Sequence, residues 1–209
     1  MNTRRCDHCG ERLGARHAHN ARYCSGRCRT AACRKRRTIP AELTSRPRWI
    51  RRTSRKVPVT VGGDAASSTD PATWSRYSDA AKSSAGAGLG FVLDGDGVVC
   101  LDLDHCLDDE GAAAGWAQGV LDAVGDSAWV EVSQGGDGLH IWGYGELPGD
   151  AGRRLQLGDG TVEVYGDGRY IAVTGVTFGG TPQRLGDLQY VIDSLLQGRA
   201  GARPIRRSL

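Results

Sequence analysis

Asp102 and Asp104, separated only by Leu103, stand at the end of the apolar run Val98-Val99-Cys100-Leu101. Alternate side chains of a strand point to opposite faces, so Val99, Leu101 and Leu103 take one side and Cys100, Asp102 and Asp104 the other. Two carboxylates side by side are costly unless a cation neutralises them. Hard divalent cations such as Mg²⁺ take oxygen ligands and commonly sit between one or two carboxylates and substrate phosphates. A calcium loop fits the pattern poorly, because Asp102-x-Asp104-x-Cys106 lacks the third oxygen ligand and the glycine of an EF-hand.

Three hairpins are expected to position this chemistry. Asp94-Gly95-Asp96-Gly97 reads as a turn joining the strand 89–93 to the Asp-x-Asp strand. A second hairpin runs from 129–133 through the turn 134–138 to 139–142, with Leu139 and Ile141 facing one way and His140 the other. A third joins 161–165 to 169–174 through Gly166-Asp167-Gly168; Val162 and Val164 face inward, so Glu163 faces out. Three carboxylates and an imidazole on adjacent strands suit a two-metal site, of the kind that serves in-line phosphoryl transfer.

A second cluster lies near the start. Cys6-x2-Cys9, fourteen residues, then Cys24-x3-Cys28 supply four thiolates in two close pairs, the set that tetrahedral Zn²⁺ requires. A segment this small and polar needs the metal to fold. Cys33, His8, His17 and His19 are spare ligands. Basic residues follow the second pair: Arg27, Arg29, Arg34, Lys35, Arg36 and Arg37, suited to phosphate contact.

Charge divides the chain in the same place. Of its 209 residues, the first 55 hold 16 Lys and Arg against 3 Asp and Glu; the remainder hold 11 against 21. A basic arm on an acidic body is expected to grip a polyanion with one part and act with the other. No apolar run approaches the ~18 residues of a membrane span. The start, Met-Asn-Thr-Arg-Arg-Cys, is unlike a signal peptide, so a cytoplasmic, reducing location and no membrane partner are expected.

The remaining elements are read in order. Residues 1–37 are expected to form a zinc-binding module, 38–45 a linker, 46–198 the main domain and 199–209 a basic tail. Trp49-Ile50 and Val57-Pro58-Val59 suggest a first edge strand. A helix starts at Thr69-Asp70-Pro71 and carries Trp74, Tyr77 and Ala81 inward. Residues 111–124 form a second helix with Trp116, Val120, Leu121 and Val124 on one face, and 185–196 a third.

Residues 46–196 resemble the catalytic domain of the archaeo-eukaryotic primase superfamily, in particular the bifunctional primase/polymerase group of phages and plasmids. The resemblance rests on Leu101-Asp102-Leu103-Asp104-His105-Cys106, on Ser133-Gln134-Gly135-Gly136-Asp137-Gly138-Leu139-His140-Ile141, and on Val162-Glu163-Val164-Tyr165 with Gly168-Arg169-Tyr170. Lys56-x-Pro58 and Asp70-Pro71-Ala72-Thr73-Trp74 look like that group's upstream segment. The finger is similar to treble-clef or ribbon types, in which the second cysteine pair opens a basic helix.

The resemblance implies an α+β fold, an RRM-like sheet joined to a smaller α/β unit, beside the small zinc module. It implies template-directed nucleotidyl transfer on single-stranded DNA with nucleoside triphosphates, in phage or mobile-element replication. Asp102, Asp104 and Glu163 would hold Mg²⁺ or Mn²⁺, and His140 with Ser133 would contact the triphosphate. Lys56, Arg153, Arg154 and Arg169 would meet phosphate or template. No helicase-like segment follows, so unwinding is expected either to come from a separate helicase or not to be needed. Two rivals explain less: a nucleotide-sugar transferase using the Asp-x-Asp leaves the histidine hairpin and basic arm without a purpose, and a non-catalytic DNA-binding replication factor leaves the acidic triad without one.

Overall fold

The computed structural model describes residues 4–6, 9–14, 17, 21, 23–28, 39–149 and 152–198. They fall into two compact units, Met1–Thr38 and Ile39–Leu209. The second unit begins with helix α1 (Ala41–Thr44) and strands β1 (Trp49–Arg52) and β2 (Pro58–Val59). A 3-10 turn (Pro71–Thr73), α2 (Tyr77–Lys82), β3 (Gly88–Asp94), β4 (Val98–Leu103) and α3 (Gly115–Val124) follow. The remainder is β5 (Trp129–Val132), β6 (Leu139–Tyr144), β7 (Arg153–Leu157), β8 (Gly160–Tyr165), β9 (Asp167–Val173), β10 (Gly186–Asp187) and α4 (Gln189–Leu196).

Two sheets organise this unit. One has the order β2-β1-β3-β9; the other has β10-β6-β4-β8-β7, with β5 also paired to β6. The alternation of β4 is observed, but both of its faces are covered. Val99, Leu101 and Leu103 pack with Leu139, Ile141, Val162 and Val164 against Val120 and Val124 of α3 and Ile192 and Leu195 of α4. Val98 and Cys100, with Trp129 and Trp142, pack against Trp49, Phe91, Leu93, Ile171 and Val173 of the first sheet. The layers are therefore helices, second sheet, first sheet. A fully buried Leu, Ile or Phe in such a core contributes about 1.5–3 kcal/mol.

This layering corrects two of the expected hairpins. β3 pairs with β1 and β9, whereas β4 pairs with β6 and β8, so the Asp94–Gly97 turn carries the chain from one sheet to the other. β8 and β9 are separated in the same way, and the hairpin partner of β8 is β7. Glycines that permit a tight turn equally permit a corner between packed sheets. The sign of a corner is that β3 and β4 are buried on both faces, as a one-sided hairpin is not. Only β5 and β6 form the hairpin read from the sequence.

Other boundaries shift for local reasons. Asp70 does cap a turn, its side chain accepting from the Ala72 amide at 3.1 Å. Trp74 is nevertheless extended, and Ser75 bridges to Trp49, so the helix is split and α2 starts at Tyr77. Ala80, not Ala81, is the residue it buries. The stretch read as a linker, 38–45, contains α1, whose Leu43 is fully buried. β1 is internal and β2 is the edge. The last helix starts only at Gln189, because Gly186-Asp187 pairs in parallel with Gly143-Tyr144. A Cβ on Gly186 would come within 1.9 Å of the Ser127 carbonyl oxygen, so the strand docks there only as glycine. The basic tail 199–209 lies outside the described residues.

Candidate active site

Five side chains stand in register across the second sheet. Glu131 of β5 lies opposite His140 of β6, and His140 opposite Asp102 of β4. Asp102 lies opposite Glu163 of β8, and Glu163 opposite Arg154 of β7. Directly opposed residues share a face, so one polar row crosses five strands. One step back on that face, Trp142, Cys100 and Tyr165 are opposed in the same way and pack beneath the first sheet. Beyond them that cover ends: Cys100 is fully buried, Asp102 half-buried and Asp104, in the turn after β4, exposed.

The carboxylates converge at this margin. Oxygens of Asp102, Asp104 and Glu163 lie within 4.8 Å of one another. Asp102 Oδ1 is buried, and among the described residues nothing donates a hydrogen bond to it. Burial raises the Asp102 pKa, the His140 charge opposes the rise, and the charges of Asp104 and Glu163 add to it. An all-oxygen donor set with an unsatisfied buried oxygen fits a hard divalent cation, whose charge would offset these costs. Glu163 is held from both sides: Oε2 accepts from the Tyr165 hydroxyl, and Oε1 is 3.6 Å from Arg154 Nη1. Burial and the Glu163 contact push the Tyr165 pKa up to about 12.

His140 is 4% exposed, with Nε2 3.6 Å from Asp102 Oδ1 and Nδ1 3.2 Å from Glu131 Oε1. Burial works against a positive imidazole here. The hydrogen bond and charge of Glu131, joined by the Asp102 charge, outweigh it and hold the His140 pKa above its ordinary value. Sequence reasoning missed Glu131, which is fully buried. Counting the hairpin register outward from the turn 134–138 would have set it opposite His140.

The other expected contacts lie around the row. The Ser133 amide donates to the Gly138 carbonyl at 2.8 Å, closing the turn of the histidine hairpin. Gly138 has no room for a side chain, since a Cβ would come within 2.9 Å of both Leu103 O and Ser133 Oγ. Gln134 Nε2 reaches Ser54 O at 3.3 Å, tying this turn to the loop that carries Lys56. Lys56 takes φ 59°, its carbonyl accepts from the Tyr170 hydroxyl, and its charge acts on Asp102, His140 and Asp137. Arg169 comes from the first sheet, its guanidinium 4.8 Å over the Tyr165 ring and its Nη2 3.1 Å from the Tyr165 hydroxyl. Arg154 is exposed on the row, while Arg153 points to the opposite face and donates to Pro148 O.

Two cavities, of about 420 and 770 Å³, are lined by none of the row residues. The first lies at the start of β4, around Gly95 to Val99, and the second runs along Arg46, Arg48 and Trp74.

In the first unit, sulfurs of Cys6, Cys9, Cys24 and Cys28 lie within 4.8 Å of one another. Cys9 to Cys24 is 3.5 Å, Cys24 to Cys28 3.4 Å and Cys28 to Cys9 3.7 Å. A tetrahedron of thiolates about 2.3 Å from a Zn²⁺ has edges of about 3.8 Å. The Cys28 and Cys9 contacts push the Cys24 pKa up to about 12, a preference for the neutral thiol that a dication would reverse. Cys6 and Cys9 sit on a short turn in which Gly10 N donates to Cys6 O at 3.0 Å. His17 contacts Gly14 O and is not in the cluster. Cys33, His8, His19 and the basic residues Arg29, Arg34, Lys35, Arg36 and Arg37 lie outside the described residues.

Residues 29–190 match the family described as bifunctional DNA primase/polymerase, N-terminal. The chain belongs to that family. The match spans the whole row and the flanking Lys56 and Arg169. A curated relative, the DNA primase-polymerase of Nitratiruptor phage NrS-1, is 38% identical over 139 residues. That alignment covers 63% of this chain and 19% of the relative, so the chain spans less than a fifth of that protein's length. Membership in the primase/polymerase family agrees with the resemblance drawn from the three motifs. Among the described residues no helix is long and apolar enough to cross a membrane.

Proposed function

We propose that this protein is a template-directed nucleotidyltransferase that adds nucleotides on single-stranded DNA in phage or mobile-element replication. The observation that carries this reading is the meeting of Asp102, Asp104 and Glu163 within 4.8 Å, beside His140, in a chain of the primase/polymerase family. The three carboxylates would hold Mg²⁺ or Mn²⁺. When bound, such ions supply positive charge at the attacking and leaving oxygens of an in-line displacement.

The chain's own residues do the rest. His140 presents Nε2 to the triphosphate while Glu131 occupies Nδ1. Lys56 and Arg169 add positive charge on either flank, and Ser133 offers a hydroxyl at the mouth of the hairpin turn. Tyr165 and Arg154 hold Glu163 between them. Cys6, Cys9, Cys24 and Cys28 would hold one structural Zn²⁺, and Arg29, Arg34, Lys35, Arg36 and Arg37 would meet the DNA backbone. A separate helicase would open duplex template, and the reaction would run in the cytoplasm of the bacterial host.

The test is extension of a primed and an unprimed single-stranded template with Mg²⁺ or Mn²⁺. Wild-type protein is expected to incorporate nucleotides and Asp102→Asn to lose incorporation while still binding DNA. Robust extension by Asp102→Asn would overturn the assignment.

A further inference from the structure

His140 is fixed by a residue no other part of the reaction uses. Glu131 is a carboxylate with no solvent exposure, and both its oxygens are engaged. Oε1 accepts from His140 Nδ1 at 3.2 Å and from Trp142 Nε1 at 3.1 Å. Oε2 accepts from the amides of Thr174 at 2.9 Å and Gly175 at 2.8 Å, with the Thr174 hydroxyl at 3.0 Å. A buried carboxylate is kept only where its lone pairs are satisfied, and here four N–H groups converge on it. Thr174 and Gly175 directly follow β9, so Glu131 ties the imidazole to the chain leaving the first sheet.

We infer that Glu131 is the positioning residue for His140. It acts through the imidazole, touching neither the metal-binding oxygens nor the substrate. With Glu131 taking Nδ1–H, the ring presents Nε2 to the Asp102 side of the row, where the incoming triphosphate would lie. Without that acceptor the ring is free to turn about χ2, and either nitrogen can face the site. Trp142 limits the ring from one side, its plane at 90° to the imidazole with centroids 6.4 Å apart. It offers no acceptor for Nδ1, so packing alone does not choose between the two orientations. This inference rests on the nucleotidyl-transfer reading for its kinetic consequence, but not for its chemical one.

Kinetics supply the first test. Loss of one charge-assisted hydrogen bond supports a change of about tenfold or more. Glu131→Gln is therefore expected to raise the KM for the incoming nucleotide about tenfold while the affinity for primed template stays unchanged. Its amide must oppose a donor at one end or the other, whichever way it is turned. Glu131→Asp keeps the charge and is expected to recover part of the loss. In a His140→Ala background Glu131→Gln should add nothing to KM; an equal rise in that background would overturn the inference, because it would show Glu131 acting without the imidazole.

A second measurement needs no substitution at Glu131. Nitrogen-15 NMR of the imidazoles in the wild-type protein, with His140→Ala to assign the signal, reports which ring nitrogen carries the proton. A protonated, slowly exchanging Nδ1 is expected whether the ring is neutral or cationic. A bare Nδ1 with the proton on Nε2 would overturn the inference even if the kinetic variants failed to fold. If the wild-type protein incorporates no nucleotide but shows the expected Nδ1 proton, the function reading fails and the positioning contact stands.

Discussion

Asp102 and His140 face each other across β4 and β6 with 3.6 Å between Oδ1 and Nε2, and no described residue donates a hydrogen bond to that Asp102 oxygen. The gap is too long for a hydrogen bond and close enough for each charge to act on the other. A buried carboxylate left in this state costs stability, and a bound cation or a neutral substitution relieves the cost by different routes.

Asp102→Asn is expected to separate those routes in thermal unfolding. Without divalent ion the variant should melt at the same temperature as the wild type or a few degrees higher, because burial and the charges of Asp104 and Glu163 outweigh the His140 charge and disfavour an ionised Asp102. Added Mg²⁺ or Mn²⁺ should raise the wild-type midpoint as ligand binding does and leave the variant's unmoved. Nucleotide addition should fall on the order of 1000-fold, the consequence of losing several kcal/mol of charge stabilisation. A variant that still gains stability from Mg²⁺ would place the ion elsewhere.

The chemistry of the row was easier to read from the sequence than the sheet that carries it. Asp102, His140 and Glu163 each alternate with buried Leu, Ile or Val, so their common face follows from strand periodicity alone. Which strands are neighbours does not follow. The turns Asp94–Gly97 and Gly166–Gly168 have hairpin composition, yet both carry the chain between sheets, and β7 lies in a stretch that gave no strand signal. Glu131 escaped for a related reason: a strand glutamate is usually solvated, and only the pairing with His140 together with the β9 exit shows it buried. The split between the 3-10 turn and α2 is a tertiary effect, imposed by the Ser75 bridge to Trp49.

Metal analysis addresses the first unit. Reductively purified protein is expected to carry about one equivalent of zinc, and Cys24→Ser to lose it. The melting of the second unit should be unaffected, as should Mg²⁺-dependent stabilisation through Asp102. Protein that contains no zinc would refute the four-thiolate site. Loss of zinc in Cys33→Ser but not in Cys28→Ser would keep the site and change its ligands.

Deleting residues 1–37 removes most of the excess positive charge found in the first 55 residues. Binding to single-stranded DNA should weaken, and the slope of log affinity against log salt should flatten by about 0.7 for each phosphate no longer neutralised. Extension of a primed template should persist at high DNA concentration, since the carboxylate row lies wholly in the second unit. An unchanged salt slope would mean that the arginines engage something other than nucleic acid.

The last prediction concerns the end of β4 opposite the row. Asp96 is 2.9 Å from Arg46 Nε and 3.0 Å from Arg48 Nη2, and the Arg48 side chain is only 7% exposed. Burial alone would raise the Asp96 pKa, but the hydrogen bonds and charges of Arg46 and Arg48 prevail and hold it below the usual carboxylate range. A folded pKa below the unfolded value means stability that is present at neutral pH and lost as pH falls through the folded pKa. Asp96 is itself 38% exposed, so solvent screens much of the pair and its pKa shift converts poorly into energy. The larger effect of Asp96→Asn comes from Arg48, nearly buried and left with the more distant carboxylate of Asp94, 3.9 Å from Nη1, and is expected to cost about 1–3 kcal/mol at pH 7. In urea unfolding series from pH 5 down to 2.5, the two proteins should converge as the wild-type Asp96 takes up its proton. A difference that persists undiminished at the acid end would show that the carboxylate charge is not what Arg48 needs.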